Sequence, residues 1–394
     1  MERRHDASAH SILAGIVGAL VGYTGAFAVV LSGLRGVGAS PVQAASGLLT
    51  VTAMMGLATL WLTRRHRIPI LIAWSTPGAA LLASTGAVHG GWPAAIGAFL
   101  VVGALIVLTG LWPRLGTLIA SIPAPIAQAM LAGVVLELCL SPVKGFVAHP
   151  WEVGPILLIW LVLRRLAPKL AVPAAFAVAL VVIGIDAGDH GGVHGSLLPH
   201  VTWTAPRFTS AGVLSLALPL YVVTMAGQNV PGTAILATYG YRVPWRETMT
   251  VTGVGTIIGA CAGGHAINLA AISTSLVASP HADPDPATRW TAAISAGWSF
   301  LVLALLSGAL TTFVSAAPAD VVGAVAGLAL LGTLATSLAN ALGADDGRDA
   351  AAITFVVAAS GTTFLGIGAA FWALLAGLAV HAVVHRQTPP AGPS

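Results

Sequence analysis

The polar side chains that could bind a ligand lie within the apolar stretches of a chain that is 57% hydrophobic and only 8% charged. They are Tyr23, Ser75, Thr76, Gln228, Asn229, His265 and Asn268. Neutral donors of this kind suit a carboxylate or another small anion, since each charge-assisted hydrogen bond contributes about 1.5–3 kcal/mol. No nucleophile with its base and no metal-ligand spacing accompanies them. The pattern therefore predicts a binding site without a metal or cofactor, and not an enzyme active site.

Each of these side chains also has a structural interpretation. The three amides could form hydrogen bonds between helices without any ligand, worth about 0.6 kcal/mol on average. The two hydroxyls could bond back to their own helix, and Tyr23 could pack against Phe27 one turn later. An amide in hydrocarbon is costly without a purpose, and we therefore assign the amides to the predicted site.

Three ionisable side chains lie within or at the ends of the apolar stretches: Glu137, His265 and Asp320. His265 has the intrinsic pKa best suited to a proton switch and is the first candidate for proton coupling, with Glu137 second. The alternatives are a neutral, hydrogen-bonded histidine and a glutamate that reaches water at a membrane face. Asp320 follows Pro318 and is interpreted as a helix cap.

The apolar runs are long enough for helices that cross about 30 Å of hydrocarbon, and they predict an all-α polytopic membrane protein. Fourteen segments are predicted, at 11–34, 42–63, 68–85, 91–111, 116–140, 151–166, 169–186, 211–238, 246–262, 264–279, 289–311, 318–340, 350–366 and 368–385. Helices are expected because they satisfy their own backbone polar groups where there is no water.

The basic residues lie in short loops and indicate topology instead of nucleic-acid binding. With the fourteen segments as drawn, fourteen of the seventeen Lys and Arg residues fall on the side of the N-terminus. Only Arg35, Lys144 and Arg207 fall on the other side. Because cytoplasmic loops are enriched in Lys and Arg, both termini are predicted to be cytoplasmic.

The loop 187–210 divides the chain into two halves of seven segments, 11–186 and 211–385. Segments 3 and 10 occupy matching positions and contain WSTPGAALLAS from Trp74 and AISTSLVAS from Ala271. Since seven is odd, the second half must enter the membrane from the opposite face, which gives an inverted repeat. Short segments interrupted by Gly or Pro at matching positions predict broken helices that meet near the midplane.

Three stretches of the chain resemble the BenE-type family of bacterial benzoate/proton symporters. They are STPGAALL at Ser75–Leu82, PLYVVTMAGQNVPG at Pro219–Gly232 and GGHAINLAAIS at Gly263–Ser273. Such proteins are similar in architecture to the nucleobase and sulfate permeases. The resemblance implies a core unit of residues 11–111 and 211–311 and a gate unit of residues 112–186 and 312–385.

The resemblance also implies a function: proton-coupled import of benzoate or a similar aromatic carboxylate through the bacterial inner membrane by alternating access. The expected partners are the anion, protons and the lipid bilayer, with monomer and homodimer both open. The chain departs from the nucleobase carriers because segments 8 and 10 contain no carboxylate. A passive organic-anion channel of the same fold is the first alternative, and a membrane-bound enzyme is the second.

Cysteine labelling checks the predicted topology. In a chain whose native cysteines are replaced by serine, a cysteine at His194 should react with an impermeant maleimide in intact cells. A cysteine at Arg65 should react only after the membrane is permeabilised, because its loop belongs to the basic side. The reverse pattern of labelling would contradict the drawn topology.

Overall fold

The computed structural model describes residues 9–189, 198, 200–271, 273–343 and 347–385. The first half contains α1 (Ala9–Thr24), α2 (Phe27–Gly36), α3 (Pro41–His66), β1 (Ile72–Trp74), α4 (Thr76–Thr85), α5 (Gly91–Leu111), α6 (Pro113–Ala120), α7 (Ala124–Ala148), α8 (Pro150–Leu166) and α9 (Ala171–Asp189). A short 3₁₀ turn, Pro168–Leu170, joins α8 to α9. Much of the predicted linking loop, including His194, lies outside the described residues.

The second half begins with one long helix that contains two π-helical stretches, Gly212–Ala217 and Met225–Asn229. Its α-helical parts are α10 (Leu218–Thr224) and α11 (Val230–Thr238). The elements that follow this helix are α12 (Trp245–Ala260), β2 (Ile267–Leu269), α13 (Thr274–Ala278), α14 (Trp290–Ser315), α15 (Ala319–Leu342), α16 (Arg348–Ala359) and α17 (Ala369–His385). A π-helical turn inside a helix is frequent at functional sites.

Within the described ranges, eight helical stretches are long and apolar enough to cross a membrane by themselves. They are Ala9–Gly36, Pro41–His66, Gly91–Leu111, Ala124–Ala148, Pro168–Gly188, Gly212–Thr238, Trp290–Ser315 and Asp320–Leu342. The predicted polytopic helical membrane protein is therefore confirmed, except that the protein is mainly helical and not all-α, because it contains the strands β1 and β2. The six other predicted segments are shorter helices or strand-and-helix pairs.

Two predicted segment boundaries were wrong. Segment 5 was placed at 116–140, but the long helix is α7, Ala124–Ala148, and the residues before it form the separate short helix α6. Pro123 explains the break, since proline lacks an N–H and disfavours helical backbone in the residue before it. Segment 13 was extended to residue 366, but α16 ends at Ala359, and Gly361 has a left-handed φ of 60°.

The two broken segments meet in an antiparallel pair of short strands. Ile72 of β1 pairs with Leu269 of β2, and Trp74 pairs with Ile267. Each strand leads towards a short helix, α4 in the first half and α13 in the second. Extended backbone inside a bilayer is tolerated only where protein partners satisfy its polar groups, and the strand pairing supplies part of those partners.

A threonine in each half supplies a further hydrogen bond to the strands. The hydroxyl of Thr59 on α3 accepts a hydrogen bond from the Ile72 N–H at 3.0 Å. The hydroxyl of Thr256 on α12 accepts one from the Ile267 N–H at 3.1 Å. All four residues are buried. These two bonds fix each strand to the long helix that precedes it.

Close packing between long helices depends on glycines in α3 and α12, the same two helices that carry these threonines. A Cβ added to Gly56 on α3 would lie 3.0 Å from the carbonyl oxygen of Gly297 on α14. A Cβ added to Gly253 on α12 would lie 2.7 Å from the carbonyl oxygen of Gly103 on α5. Small residues at these crossings allow the backbones to approach closely, as is common between membrane helices.

Replacing either strand-binding threonine should destabilise the protein. Thr59→Val and Thr256→Val keep the shape of the side chain but leave a buried backbone N–H without its acceptor, at a cost of about 1–3 kcal/mol each. The melting temperature of the detergent-solubilised protein should fall in both variants. Thr52→Val is the matched control on α3, because the Thr52 hydroxyl is buried and has no hydrogen-bond partner among the described residues. Equal melting temperatures in all three variants would contradict the assignment.

Candidate functional site

A cavity of about 330 Å³ lies where the strand pair, α1 and α9 come together. Its lining residues are Val21, Gly22, Gly25, Ala26, Met55, Ala73, Trp74, Thr76, Pro77, Lys169, Val172, Pro173, Gln228, Ala270, Ala271, Ser273, Ser275, Leu276, Phe300, Ala329 and Thr333. Residues 11–111 and 211–311 form most of the wall, and α9, α15 and the turn before α9 form the rest. The volume is that of a small-molecule site.

Gln228 lines the cavity from the second π-helical stretch. Its side-chain oxygen accepts a hydrogen bond from the Ala271 N–H at 3.2 Å, which fixes the orientation of the amide. The amide nitrogen, Nε2, has no hydrogen-bond partner in the part of the chain that the structure describes. Gln228 therefore presents an oriented N–H₂ group that is available to a ligand.

Thr76 lines the cavity as the first residue of α4, and its hydroxyl likewise has no partner among the described residues. The preceding residue, Ser75, is buried and caps the helix by accepting a hydrogen bond from the Gly78 N–H at 3.2 Å. Ser75 Oγ also shares a hydrogen bond of 2.8 Å with Thr224 Oγ1. Of the two predicted hydroxyls, the structure places Thr76 at the cavity and Ser75 behind it.

The two predicted asparagines bind backbone groups near the strand pair. Asn229 is buried, and its side-chain oxygen accepts a hydrogen bond from the Leu269 N–H at 2.9 Å. With its amide turned so that both atoms find partners, the Asn268 oxygen accepts from the Ser75 N–H and its nitrogen donates to the Leu269 carbonyl, both at 3.0 Å. Neither asparagine lines the cavity. Their amides support the strands, whereas Gln228 faces the cavity.

His265 lies behind the same crossing and is 1% exposed. Its Nε2 is 3.3 Å from the Ser75 carbonyl oxygen, and its ring meets the Phe99 ring edge-on at a centroid distance of 6.5 Å. The other ring nitrogen, Nδ1, is buried without a hydrogen-bond partner in the described structure. His265 is thus connected to the cavity wall through the backbone of Ser75, next to Thr76.

Tyr23 packs in an aromatic cluster beside the cavity. Its ring centroid lies 5.1 Å from that of Trp74 and 5.6 Å from that of Phe27. Its hydroxyl is buried and has no hydrogen-bond partner among the residues described. Phe27 in turn contacts Phe176 of α9 at 5.5 Å, which joins α2 to α9 beyond the cavity. The observed contacts of Tyr23 are packing contacts, and its side chain does not line the cavity.

The two carboxylates singled out in the sequence lie outside the cavity lining. Glu137 is exposed on α7. Asp320 is in the first turn of α15, but the cap position belongs to Pro318, and the capping interpretation was therefore wrong. The Asp320 carboxylate instead lies 3.3 Å from Nε2 of His149, between α7 and α8.

Sequence reasoning missed four polar residues of the lining: Lys169, Ser273, Ser275 and Thr333. Ser273 ends the stretch GGHAINLAAIS, so its segment was identified although the residue was not. Lys169 belongs to a basic loop and was explained by topology alone. Thr333 is one of several hydroxyls in a long apolar helix, and only the packing of α15 shows that it faces the cavity.

Two proteins of known sequence and one solved structure are similar to this chain over nearly its whole length. The inner membrane protein YdcO of Escherichia coli K12 is 39% identical over 378 residues, covering 95% of this chain and 96% of that protein. The benzoate membrane transport protein of Acinetobacter baylyi is 28% identical over 391 residues, covering 97% and 96%. The transmembrane domain of the cyanobacterial bicarbonate transporter BicA matches with a TM-score of 0.60 at 13% identity, covering 96% of this chain and 98% of that domain. That structure shows a shared fold.

A family model described as benzoate membrane transport protein matches residues 5–383. The match includes every span, both strands and all the residues that line the cavity. Members of this family are membrane transporters and not enzymes, which agrees with the absence of catalytic residues in the sequence pattern. The chain therefore belongs to the benzoate membrane transport protein family.

Proposed function

We propose that this protein imports benzoate or a similar aromatic carboxylate together with protons across the bacterial inner membrane. The observation that supports it best is the composition of the cavity, where Gln228 and Thr76 offer unpaired donors in a largely apolar wall. Apolar surface suits an aromatic ring, and neutral donors suit its carboxylate. The name of the Acinetobacter baylyi relative supports the same substrate.

The fourteen segments form two inverted repeats of seven in this proposal. The spacing between Gly56 and Thr59 on α3 is the same as that between Gly253 and Thr256 on α12. The glycine and the threonine of each pair make the same two kinds of contact. The glycine admits a neighbouring helix, and the threonine binds the N–H of the next strand. Repeats of this kind supply the two related conformations that alternating access requires.

The position of the cavity between the proposed core and gate units supports alternating access. Lys169, Val172 and Pro173 contribute from the gate side, and the donors Thr76 and Gln228 contribute from the core side. In the predicted topology, the end of α9 nearest Lys169 is cytoplasmic, and Phe176 lies further outward. The Phe27–Phe176 contact would then close the outer route while the cytoplasmic route is open.

Proton coupling has an energetic reason. Benzoate has a pKa near that of a glutamate side chain, about 4, and is an anion at pH 7. Importing one negative charge against 100 mV, negative inside, costs about 2.3 kcal/mol, and one accompanying proton removes that cost. We assign the proton to His265, because its ring contacts the Ser75 carbonyl next to the donor Thr76. Glu137, exposed on α7, is the second candidate.

Counterflow in proteoliposomes tests the proposed function. Vesicles loaded with unlabelled benzoate should take up labelled benzoate faster than protein-free vesicles, with saturation, and an inward proton gradient should drive net accumulation. Protein-free vesicles under the same gradient set the background, since undissociated benzoic acid crosses lipid unaided. Electrical current without saturable counterflow would identify a channel instead.

His265→Gln separates transport from coupling in the same assay. Glutamine keeps hydrogen-bonding capacity but does not titrate, so counterflow should persist while gradient-driven accumulation falls towards the background. His66→Gln is the matched control, because His66 pairs with Glu247 away from the cavity. Full accumulation in His265→Gln would make the histidine structural and move the proton to Glu137, which Glu137→Gln then tests.

Gln228→Glu should weaken benzoate binding about 10- to 150-fold, the effect of losing one charge-assisted hydrogen bond. The carboxylate can still accept from the Ala271 N–H, but it replaces the free N–H₂ donor with a negative charge. Isothermal titration of the purified protein measures the dissociation constant.

Gln43→Glu is the control for the Gln228 variant. It makes the same chemical change in the first turn of α3, where a glutamate also suits the capping box with Ser40. Its affinity for benzoate should equal that of the wild type. Unchanged affinity in Gln228→Glu would remove this amide from the substrate site.

A further inference from the structure

Lys169 is the one ionisable residue among the cavity-lining residues that the structure describes. It is exposed and lies in the turn Pro168–Leu170 between α8 and α9. No hydrogen-bond or ion-pair partner of its ammonium group occurs in the described ranges. A mobile, hydrated cation therefore stands at the rim of a cavity whose other polar groups are neutral.

The neighbouring basic residues, Arg164 and Arg165 in the last turn of α8, have different surroundings. The Arg164 guanidinium lies over the Trp160 ring at 5.7 Å, and Arg165 is exposed and outside the cavity lining. A bias of positive charge towards one face of the membrane requires only that these basic residues lie near that face. It does not require any of them to line the cavity. The topology therefore does not explain why Lys169 does so.

Local backbone structure holds Lys169 at the rim. The Ala167 N–H donates to the Leu163 carbonyl at the end of α8, and the Leu170 N–H donates to the Ala167 carbonyl at 2.9 Å. The next residues, Val172 and Pro173, line the cavity in the first turn of α9. The backbone of the turn is thus fixed to the cavity wall, while the four-carbon side chain of Lys169 retains its freedom.

We propose that Lys169 is a substrate-positioning residue that attracts the carboxylate at the cytoplasmic rim and favours anionic over neutral aromatic substrates. This inference rests on the proposed function. A lysine is a compact, strongly hydrated point charge on a flexible stem, and it can attract an anion without holding it rigidly. A single charge sign at the mouth of a low-dielectric cleft also raises the local concentration of the counter-ion.

The position of Lys169 in the gate unit makes its contribution depend on conformation. Gln228 and Thr76 belong to the core unit, and any movement between the units changes their separation from Lys169. The carboxylate would meet both the neutral donors and the ammonium group only when the cavity is open at this rim. Lys169 thereby assists release to, and rebinding from, the cytoplasmic side.

Salt-dependent binding tests this role. Titration of purified Lys169→Gln with benzoate should give a dissociation constant about fivefold above that of the wild type at about 0.01 M ionic strength. The difference should fall below about twofold at about 1 M, where charges are screened beyond about 3 Å. Lys169→Arg should restore wild-type affinity, because it restores the charge.

Arg165→Gln is the matched control, since it removes one positive charge from the last turn of α8, near Lys169 in sequence but outside the cavity lining. Its affinity and salt dependence should equal those of the wild type. Equal effects of Lys169→Gln and Arg165→Gln, or a loss in Lys169→Gln that high salt leaves unchanged, would overturn the inference while leaving the proposed function intact. A wild-type protein that binds no benzoate at either ionic strength would overturn the proposed function itself.

Discussion

The need to satisfy backbone polar groups inside hydrocarbon is the constraint on which this structure depends. Two segments leave the helical conformation at the centre of the protein, and their N–H and C=O groups have no water to bind. β1 and β2 bind each other, Thr59 and Thr256 bind one N–H each, and the amides of Asn229 and Asn268 bind others. Polar residues in this apolar chain are therefore first of all the partners of an interrupted backbone.

The proposed ligand site consists of polar groups that this backbone bonding does not use. Gln228 uses only its oxygen to hold the backbone at Ala271, and its nitrogen remains available at the cavity. Thr76 begins α4 after Ser75 has taken the cap position, and its hydroxyl is also left unpaired. In this proposal, neighbouring residues divide the structural and binding functions, 75 and 76 in one half and 228 and 229 in the other.

Positive charge is distributed unevenly around the cavity, because the two proposed units contribute different residues to its wall. The proposed core unit offers the neutral donors Gln228 and Thr76, whereas the proposed gate unit offers small and apolar residues, the Thr333 hydroxyl and the Lys169 ammonium group at the rim. Neutral donors bind an anion moderately, which suits a protein that must release its cargo. The proposed role of the Lys169 charge at the rim differs, because it would act on the anion through a longer-range attraction that salt screens.

Hydropathy and the Gly and Pro interruptions by themselves determined the polytopic helical class, most segment positions and the two broken segments, since these follow from local composition and from the thickness of the bilayer. The sequence motifs also indicated the family. Tertiary structure alone decided which polar residues face the cavity. It placed Gln228 and Thr76 in the lining and their neighbours Asn229 and Ser75 outside it, and it brought Lys169 to the rim. Pro123 moved the start of α7, and the pairing of Asp320 with His149 replaced a predicted cap. Such outcomes depend on contacts between segments that are distant in the sequence. The pattern of residue types along the chain does not specify those contacts.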